Sequence, residues 1–315
     1  MEEKLDIIAI GESLIELSTG ENITSAQTLD KYYGGDSLTT AIAALKAGSK
    51  VGFISRIGMD CFKNYLLESW QEEGLDISHV KPVIGTNGLY IVSRDENGTN
   101  KQFSFYRKKT AATNLSIDDI SLDYIKNSSL VYATGITQSL SISAREAVKE
   151  AFKIAKENDV LTAYDPNFTA QIWSDEEAKE AFEEIVDYID IIFLNVRYDS
   201  KVIIESASIE NTIKYLWDKG ISTIVIKSAI EKGYYVGTQG KIDFIKFFDE
   251  EKIDDTGAGD AFNGGFLHGI TSGMSPFRAA KLGAIVAGIQ IKNFGAIKSI
   301  PSKEEIYKIF KGQND

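Results

Sequence analysis

Residues 253–267 read IDDTGAGDAFNGGFL. Gly257, Ala258 and Gly259 form a small, flexible stretch directly before Asp260, and the run that follows reads as a helix with a close-packed face. A glycine turn at a helix start presents backbone N–H groups where an anion would sit. An aspartate in the first turn of such a helix is placed to take a proton from whatever is bound there. An anion cradle beside a carboxylate base suits phosphoryl transfer to an alcohol, where catalysis is mostly positioning and charge stabilisation. The plainer reading is a loop with an Asp N-cap. A dinucleotide fingerprint fits less well. The third glycine of G-x-G-x-x-G falls at Phe262, and the segment lies near the C-terminal end rather than in a first strand–turn–helix unit.

Outward from this turn, the chain alternates strand and helix. Apolar runs at 7–10, 51–54, 130–133, 161–164, 191–194 and 223–226 are short, continuous and bounded by turns. Such runs suit strands buried on both faces of a parallel sheet. Helical patterns lie between them: Ser37 to Lys46 behind an N-cap serine, Asp60 to Glu73 with Phe62, Leu66 and Trp70 in phase, Ser143 to Asn158, and Asp175 to Tyr188. Ser275-Pro276 opens a last long helix to Asn293, whose Gly283 and Gly288 suit either helix packing or the wall of a flat ligand. The pattern predicts a three-layer α/β arrangement.

Two regions break the rhythm. Residues 13–18 and 88–107 alternate apolar and polar positions, with a turn at Asp95-Glu96-Asn97-Gly98. Leu89, Ile91 and Ser93, then Phe103, Phe105 and Arg107, read as a hairpin with one covered face. With no crossover helix, these strands predict a small antiparallel side sheet that serves as a lid over a ligand. The alternatives are an extension of the main sheet, or a face that pairs with a second subunit and makes a homo-oligomer.

The 315 residues are 43% hydrophobic and 25% charged, with net charge −12. An acidic chain lacks the basic footprint of a nucleic-acid binder. The single cysteine, Cys61, excludes a disulfide framework and suits a reducing compartment. No apolar stretch approaches the ~18 residues of a membrane span, and the N-terminus does not read as a signal peptide, so a cytoplasmic protein is expected. His79 and His268 are the only histidines, and neither is placed as a catalytic base. Acid–base work therefore falls to a carboxylate.

These residues together resemble the ribokinase-like, or PfkB, family of carbohydrate kinases. Asp254-Asp255-Thr256-Gly257-Ala258-Gly259-Asp260-Ala261-Phe262 resembles one family signature, and Gly34-Gly35-Asp36 ahead of a helix resembles the other. Arg56-Ile57-Gly58-Met59-Asp60 is similar to the segment after the next strand. GESLIEL at 11–17, Gly88-Leu89-Tyr90, Phe105-Tyr106-Arg107 and Asp165-Pro166-Asn167 resemble the 2-keto-3-deoxygluconate kinases, with fructokinases next. The resemblance implies one ribokinase-like α/β domain over 1–315, with a mostly parallel central sheet and lid strands from about 13–33 and 86–110. The chain departs from the family at Thr169, where an arginine is usual, at Thr39 for asparagine, and at Asn195-Val196-Arg197-Tyr198, which lacks a glutamate but has Asp199 beside it. In the nucleotide loop Lys227-Ser228-Ala229, Gly233 falls one residue late. These departures fall on ligand contacts and leave the catalytic turn intact.

The implied activity is transfer of phosphate from ATP, accompanied by Mg2+, to a hydroxyl of a small sugar or sugar acid. Asp260 is the expected base, and the N–H groups of Gly257, Ala258 and Gly259 the expected anion hole. Asp254 is expected to order the loop through a monovalent cation such as K+. Asn167, Asn195, Lys227, Ser228, Gly233, Thr256 and Asn293 are the expected nucleotide contacts. Gly34, Gly35, Asp36, Tyr90, Tyr106 and Arg107 are expected on the sugar side. Asp36 would hold vicinal hydroxyls, and Arg107 a carboxylate, unless it is a solvated charge on a lid strand. A sugar-binding or regulatory protein without catalysis is the alternative of another class.

Overall fold

The six apolar runs are six adjacent strands at the centre of one large sheet. The structure, a computed structural model, describes residues 4–97, 100–238, 240–248 and 252–312. Its strands are β1 (Leu5–Ile10), β2 (Leu14–Asn22), β3 (Asp30–Gly34), β4 (Val51–Gly58), β5 (Val80–Val83), β6 (Gly88–Arg94), β7 (Lys101–Tyr106), β8 (Ser128–Thr134), β9 (Leu161–Asp165), β10 (Ile191–Asn195), β11 (Thr223–Ser228), β12 (Gly233–Thr238) and β13 (Lys241–Lys246). The helices are α1 (Asp36–Ala47), α2 (Lys63–Glu73), α3 (Leu122–Lys126), α4 (Gly135–Gln138), α5 (Ile142–Glu157), α6 (Asp175–Glu183), α7 (Asp199–Ile203), α8 (Ile209–Asp218), α9 (Ala258–Thr271), α10 (Pro276–Gln290) and α11 (Lys303–Phe310).

The large sheet runs β13-β12-β11-β10-β9-β8-β1-β4-β5, parallel from β5 to β11 and closed by an antiparallel hairpin, β12–β13. Both faces are covered. In β1, Ile7 and Ala9 join the core under α1, α9 and α10, while Ile8 and Ile10 join the opposite core under α5 and α8. Two-sided burial is why these strands read as unbroken apolar runs. The β12–β13 hairpin escaped prediction because its outer strand keeps only Ile245 buried.

The side sheet is separate, in the order β3-β2-β6-β7. Its outer pairs are antiparallel and its central pair, β2 with β6, is parallel, because the two arms leave the main sheet on separate excursions. Asp95 N–H closes the β6–β7 connection on Asn100 O at 2.8 Å, and Gly98 of the expected turn lies outside the described residues. The register sets Phe105 opposite Tyr90 and Phe103 opposite Val92. The covered face is therefore Leu14, Tyr90 and Val92, and the expected grouping of Leu89 and Ile91 with Phe103 and Phe105 is wrong by one residue. A one-residue shift moves every side chain to the other face.

Helix starts also differ from expectation. Gly35, at φ 129°, caps α1, so Asp36 rather than Ser37 opens the helix, and Ser37 turns inward to Thr137. Asp60 sits before α2, where its carboxylate accepts N–H groups from Phe62 at 2.9 Å and Asn87 at 2.7 Å. Helix α5 starts from a Ser141 cap. Helix α6 stops at Glu183, and a separate 3-10 turn covers Val186–Tyr188. Helix α10 opens at Pro276 under a Ser275 cap as expected, but ends at Gln290, short of Asn293. The glycines of α9 serve packing. A Cβ on Gly264 would stand 2.8 Å from Ala44 N of α1, and one on Gly265 would stand 2.9 Å from Gly283 Cα of α10. No helix among the described residues is long and apolar enough to cross a membrane.

Candidate active site

The C-terminal ends of the parallel strands bring the candidate residues to one edge of the sheet. β1 leads into Gly11-Glu12, β9 ends at Asp165, β10 at Asn195 and β11 at Ser228. Ligands of open α/β sheets bind at this edge. Between it and the side sheet lies a cleft of 390 Å³. Of the expected site residues, Gly35, Asp36, Tyr90, Arg107, Asn167, Thr256, Gly257 and Asp260 line it.

Two aspartates at helix starts face this space. Asp36 opens α1 and Asp260 lies in the first turn of α9. Asn167 Nδ2 donates to Asp36 Oδ2 at 3.4 Å, while Asp36 Oδ1 is buried without a hydrogen bond. Burial pushes the Asp260 carboxyl well above the usual carboxylate range; Asp36 adds to the rise, and the Lys227 charge opposes it. Burial likewise raises Asp36, against a hydrogen bond from Thr134.

Lys227 lies deeper than a nucleotide-flanking loop residue would. Its Nζ donates to Asp165 Oδ2 at 2.7 Å and Asn263 Oδ1 at 3.4 Å, and Asn263 Nδ2 in turn donates to Asp165 at 2.7 Å. The same ammonium is 3.4 Å from the point a Gly259 Cβ would occupy. Against burial, which disfavours its charge, Asp165 holds the Lys227 pKa above the usual lysine value.

The turn into α9 is built on Gly257 in the left-handed region, φ 77°. The first-turn N–H groups of a helix have no intrahelical acceptor. Ala258 is an exception to the expected cradle, because its N–H closes the turn on Asp255 O at 3.2 Å. Asp254, expected at a monovalent cation, is instead engaged by the Lys101 ammonium of β7, which also donates to Asp255 Oδ1 and Thr256 Oγ1, both at 3.2 Å. Those oxygens are already satisfied, so the site does not fit a free K+.

The lid presents Leu14, Tyr90, Phe103 and Phe105 to the cleft. Tyr90 offers its ring, since its hydroxyl donates to Glu16. Burial pushes Glu16 up to about 7, against that hydrogen bond. Tyr106 stands opposite Leu89 on the other face and is 60% exposed, so it does not reach the cleft. Arg107 does, with its side chain 10% exposed and paired to Glu12, which excludes the solvated-charge reading. Burial pushes Glu12 up to about 7, against the pull of Arg107. Thr169 also lines the cleft.

Other expected residues lie apart. Gly34 ends β3 behind Tyr90: a Cβ there would meet the Tyr90 hydroxyl at 2.7 Å. Ser228 donates to Glu231, and Gly233 pairs with Ser228 as the first residue of β12 rather than sitting in a loop cradle. Asn195 Oδ1 accepts the Arg197 N–H at 3.0 Å. Asn293 sits in the turn after α10. Asp199 does not reach the cleft either. Its oxygens accept N–H groups from Asn195 at 2.5 Å and Phe168 at 2.8 Å, so it clips two strand ends together. Sequence reading missed Glu12, Glu16, Asp165, Asn263 and Lys101. The signal for Glu12 and Asp165 was their place at the C-terminal ends of apolar strands.

The family model of the pfkB carbohydrate kinases matches residues 4–303 of this chain. A 2-dehydro-3-deoxygluconokinase from Thermoproteus tenax is 29% identical over 98% of this chain and 95% of its own. A 5-dehydro-2-deoxygluconokinase from Clostridium perfringens is 25% identical over 99% of this chain and 94% of its own. Among solved structures, a candidate ribokinase II from Escherichia coli, in complex with ATP and Mg2+, superposes with a TM-score of 0.89. It is 20% identical and covers 98% of this chain and 100% of that one.

Proposed function

The chain belongs to the pfkB family of carbohydrate kinases and is an ATP-dependent sugar kinase, and on that premise we propose that it phosphorylates a hydroxyl of a keto-deoxy sugar acid, 2-keto-3-deoxygluconate first. One observation carries the substrate class: a buried guanidinium, Arg107, lines the same cleft as Asp260. A guanidinium carries five N–H donors in a fixed fork, so pairing with Glu12 leaves donors for a substrate carboxylate. Both named relatives act on sugar acids of this kind by their names.

In this reading Asp36 holds substrate hydroxyls together with Asn167, which was expected at the nucleotide but donates to Asp36, and Asp260 accepts the proton of the attacking hydroxyl. Burial raises its pKa, which makes the carboxylate a stronger proton acceptor than an exposed aspartate. The N–H groups of the cap residue Gly257 and of Gly259 in the first turn, with the Lys227 charge behind them, stabilise the transferring phosphoryl group. Bound Mg2+ would neutralise charge on the ATP phosphates. That ion would be carried mostly by phosphate oxygens and water. The Leu14, Tyr90, Phe103 and Phe105 face excludes water during transfer. One domain comprising both sheets would carry the whole reaction.

A fructokinase is the second reading, favoured by Glu12, which already neutralises Arg107. A panel of sugars and sugar acids with ATP and Mg2+ decides between them. The proposal expects the highest kcat/KM on a 2- or 5-keto deoxyhexonate. Preference for fructose overturns the substrate class, and sugar binding without ATP consumption overturns catalysis.

A further inference from the structure

We propose that Lys101 is a positioning residue: its ammonium is a tethered cation that holds the loop from Asp254 to Gly257 in shape, in place of a free monovalent ion. An ammonium has three N–H donors. Here three successive residues supply acceptors: the Asp254 carboxylate, Asp255 Oδ1 and Thr256 Oγ1. Donor and acceptor numbers match, and the Lys101 side chain is only 15% exposed.

Asp254 spreads this hold through the loop. Its Oδ1 also accepts the Thr256 N–H at 2.9 Å, and its Oδ2 accepts the Gly295 N–H at 3.2 Å. Gln290 Nε2 ties down Thr256 O at 2.7 Å. Without a positive charge, Asp254, itself 3% exposed, would be a buried carboxylate held only by neutral donors. Lys252 sits on the outer side, against Asp255, and Glu16 lies within the field of both Asp254 and Lys101. The loop so gathered contributes Thr256 and Gly257 to the cleft. Because Lys101 opens β7, the same contact joins the lid to the phosphate end of the site. The inference rests on the reading of the Asp260 turn as the site of phosphoryl transfer.

The test uses the full-length protein with ATP, Mg2+ and its best sugar, in buffer free of Na+ and K+. Tetramethylammonium chloride at about 0.1 M is the ionic-strength control. Wild-type kcat is expected to be the same with KCl as with the control. Lys101→Ala is expected to lose about 10- to 100-fold in kcat, the usual cost of misplaced reacting groups. KCl or methylammonium should restore part of that loss, and tetramethylammonium none. Hydrogen exchange at the Thr256 amide gives a readout apart from activity: faster in Lys101→Ala, slowed again by KCl. Wild-type stimulation by KCl overturns the proposal and requires no variant. So does a Lys101→Ala protein with wild-type kcat and exchange, or one that no cation restores. If Asp260→Asn also keeps full activity, the underlying reading fails; if only the Lys101 variant does, the loss is confined to this inference.

Discussion

The Lys227 ammonium stands 2.7 Å from the Asp165 carboxylate and 3.4 Å from the point where a Gly259 Cβ would be. One buried cation thus neutralises the end of β9 and supports the turn that carries Asp260. Lys227→Met would leave Asp165, 1% exposed, with a buried charge facing only neutral donors. Breaking such a pair costs about 3 kcal/mol or more, which urea denaturation would read. The Lys227 charge also lowers the pKa of Asp260. Removing it should move the acid limb of the kcat profile to higher pH, and Asp165→Asn in the same protein should recover stability.

Asp260→Asn keeps the shape of the first turn of α9 but cannot accept a proton. Loss of a general base costs at least about 100-fold in kcat. Steady-state assay with the best sugar checks this. Turnover near wild type would remove Asp260 from the base role.

Arg107→Ala removes the guanidinium from the cleft. KM for a keto-deoxy sugar acid should rise far more than KM for fructose, since only the acid has a carboxylate to lose. Equal rises would favour a neutral sugar.

Glu12, whose carboxyl is pushed up to about 7 chiefly by burial, makes that KM depend on pH. Above this value Glu12 is ionised and competes with the substrate carboxylate for Arg107. KM for the acid should therefore rise from pH 6 to about 8 across that range. Glu12→Gln should flatten the rise, and a KM independent of pH in wild type would show that Glu12 does not compete.

His268 is held neutral between Ser49 at 2.8 Å and the Tyr307 hydroxyl at 2.8 Å. Burial, with Lys303 nearby, depresses its pKa from 6.5 to about 4. The unfolded chain therefore takes up a proton before the folded one does, and this contribution to stability is lost as pH falls from 6.5 to about 4. Glu12 and Glu16 act with the opposite sign, so the comparison with His268→Gln isolates the imidazole. In that variant the fall in stability over the window should be smaller. Urea denaturation at several pH values measures the difference, and parallel curves would contradict the assignment.

The parallel strands and the glycine turn ahead of α9 were legible because their causes are local. Two-sided burial makes strands such as 7–10 and 191–194 apolar throughout, and the αL conformation at Gly257 needs a glycine in this turn. The packing role of Gly264 and Gly265 was equally open to reading, since helices that approach closely exclude side chains. The lid was recognised as a separate unit, but its register was not. Residues 101–106 alternate on both faces, with Phe103 and Phe105 against Tyr106 as competing anchors. Pairing with β6 alone puts Tyr106 outside.

What the sequence determined by itself is the reaction class and the three-layer scaffold, because both rest on contiguous patterns of turn, charge and apolar period. The tertiary structure decided the partners of the charges. Lys101 meets Asp254 across 153 residues, Arg107 meets Glu12, and Lys227 meets Asp165. A buried charge must find its counter-charge in space, and spacing along the chain does not record where the fold brings the two together.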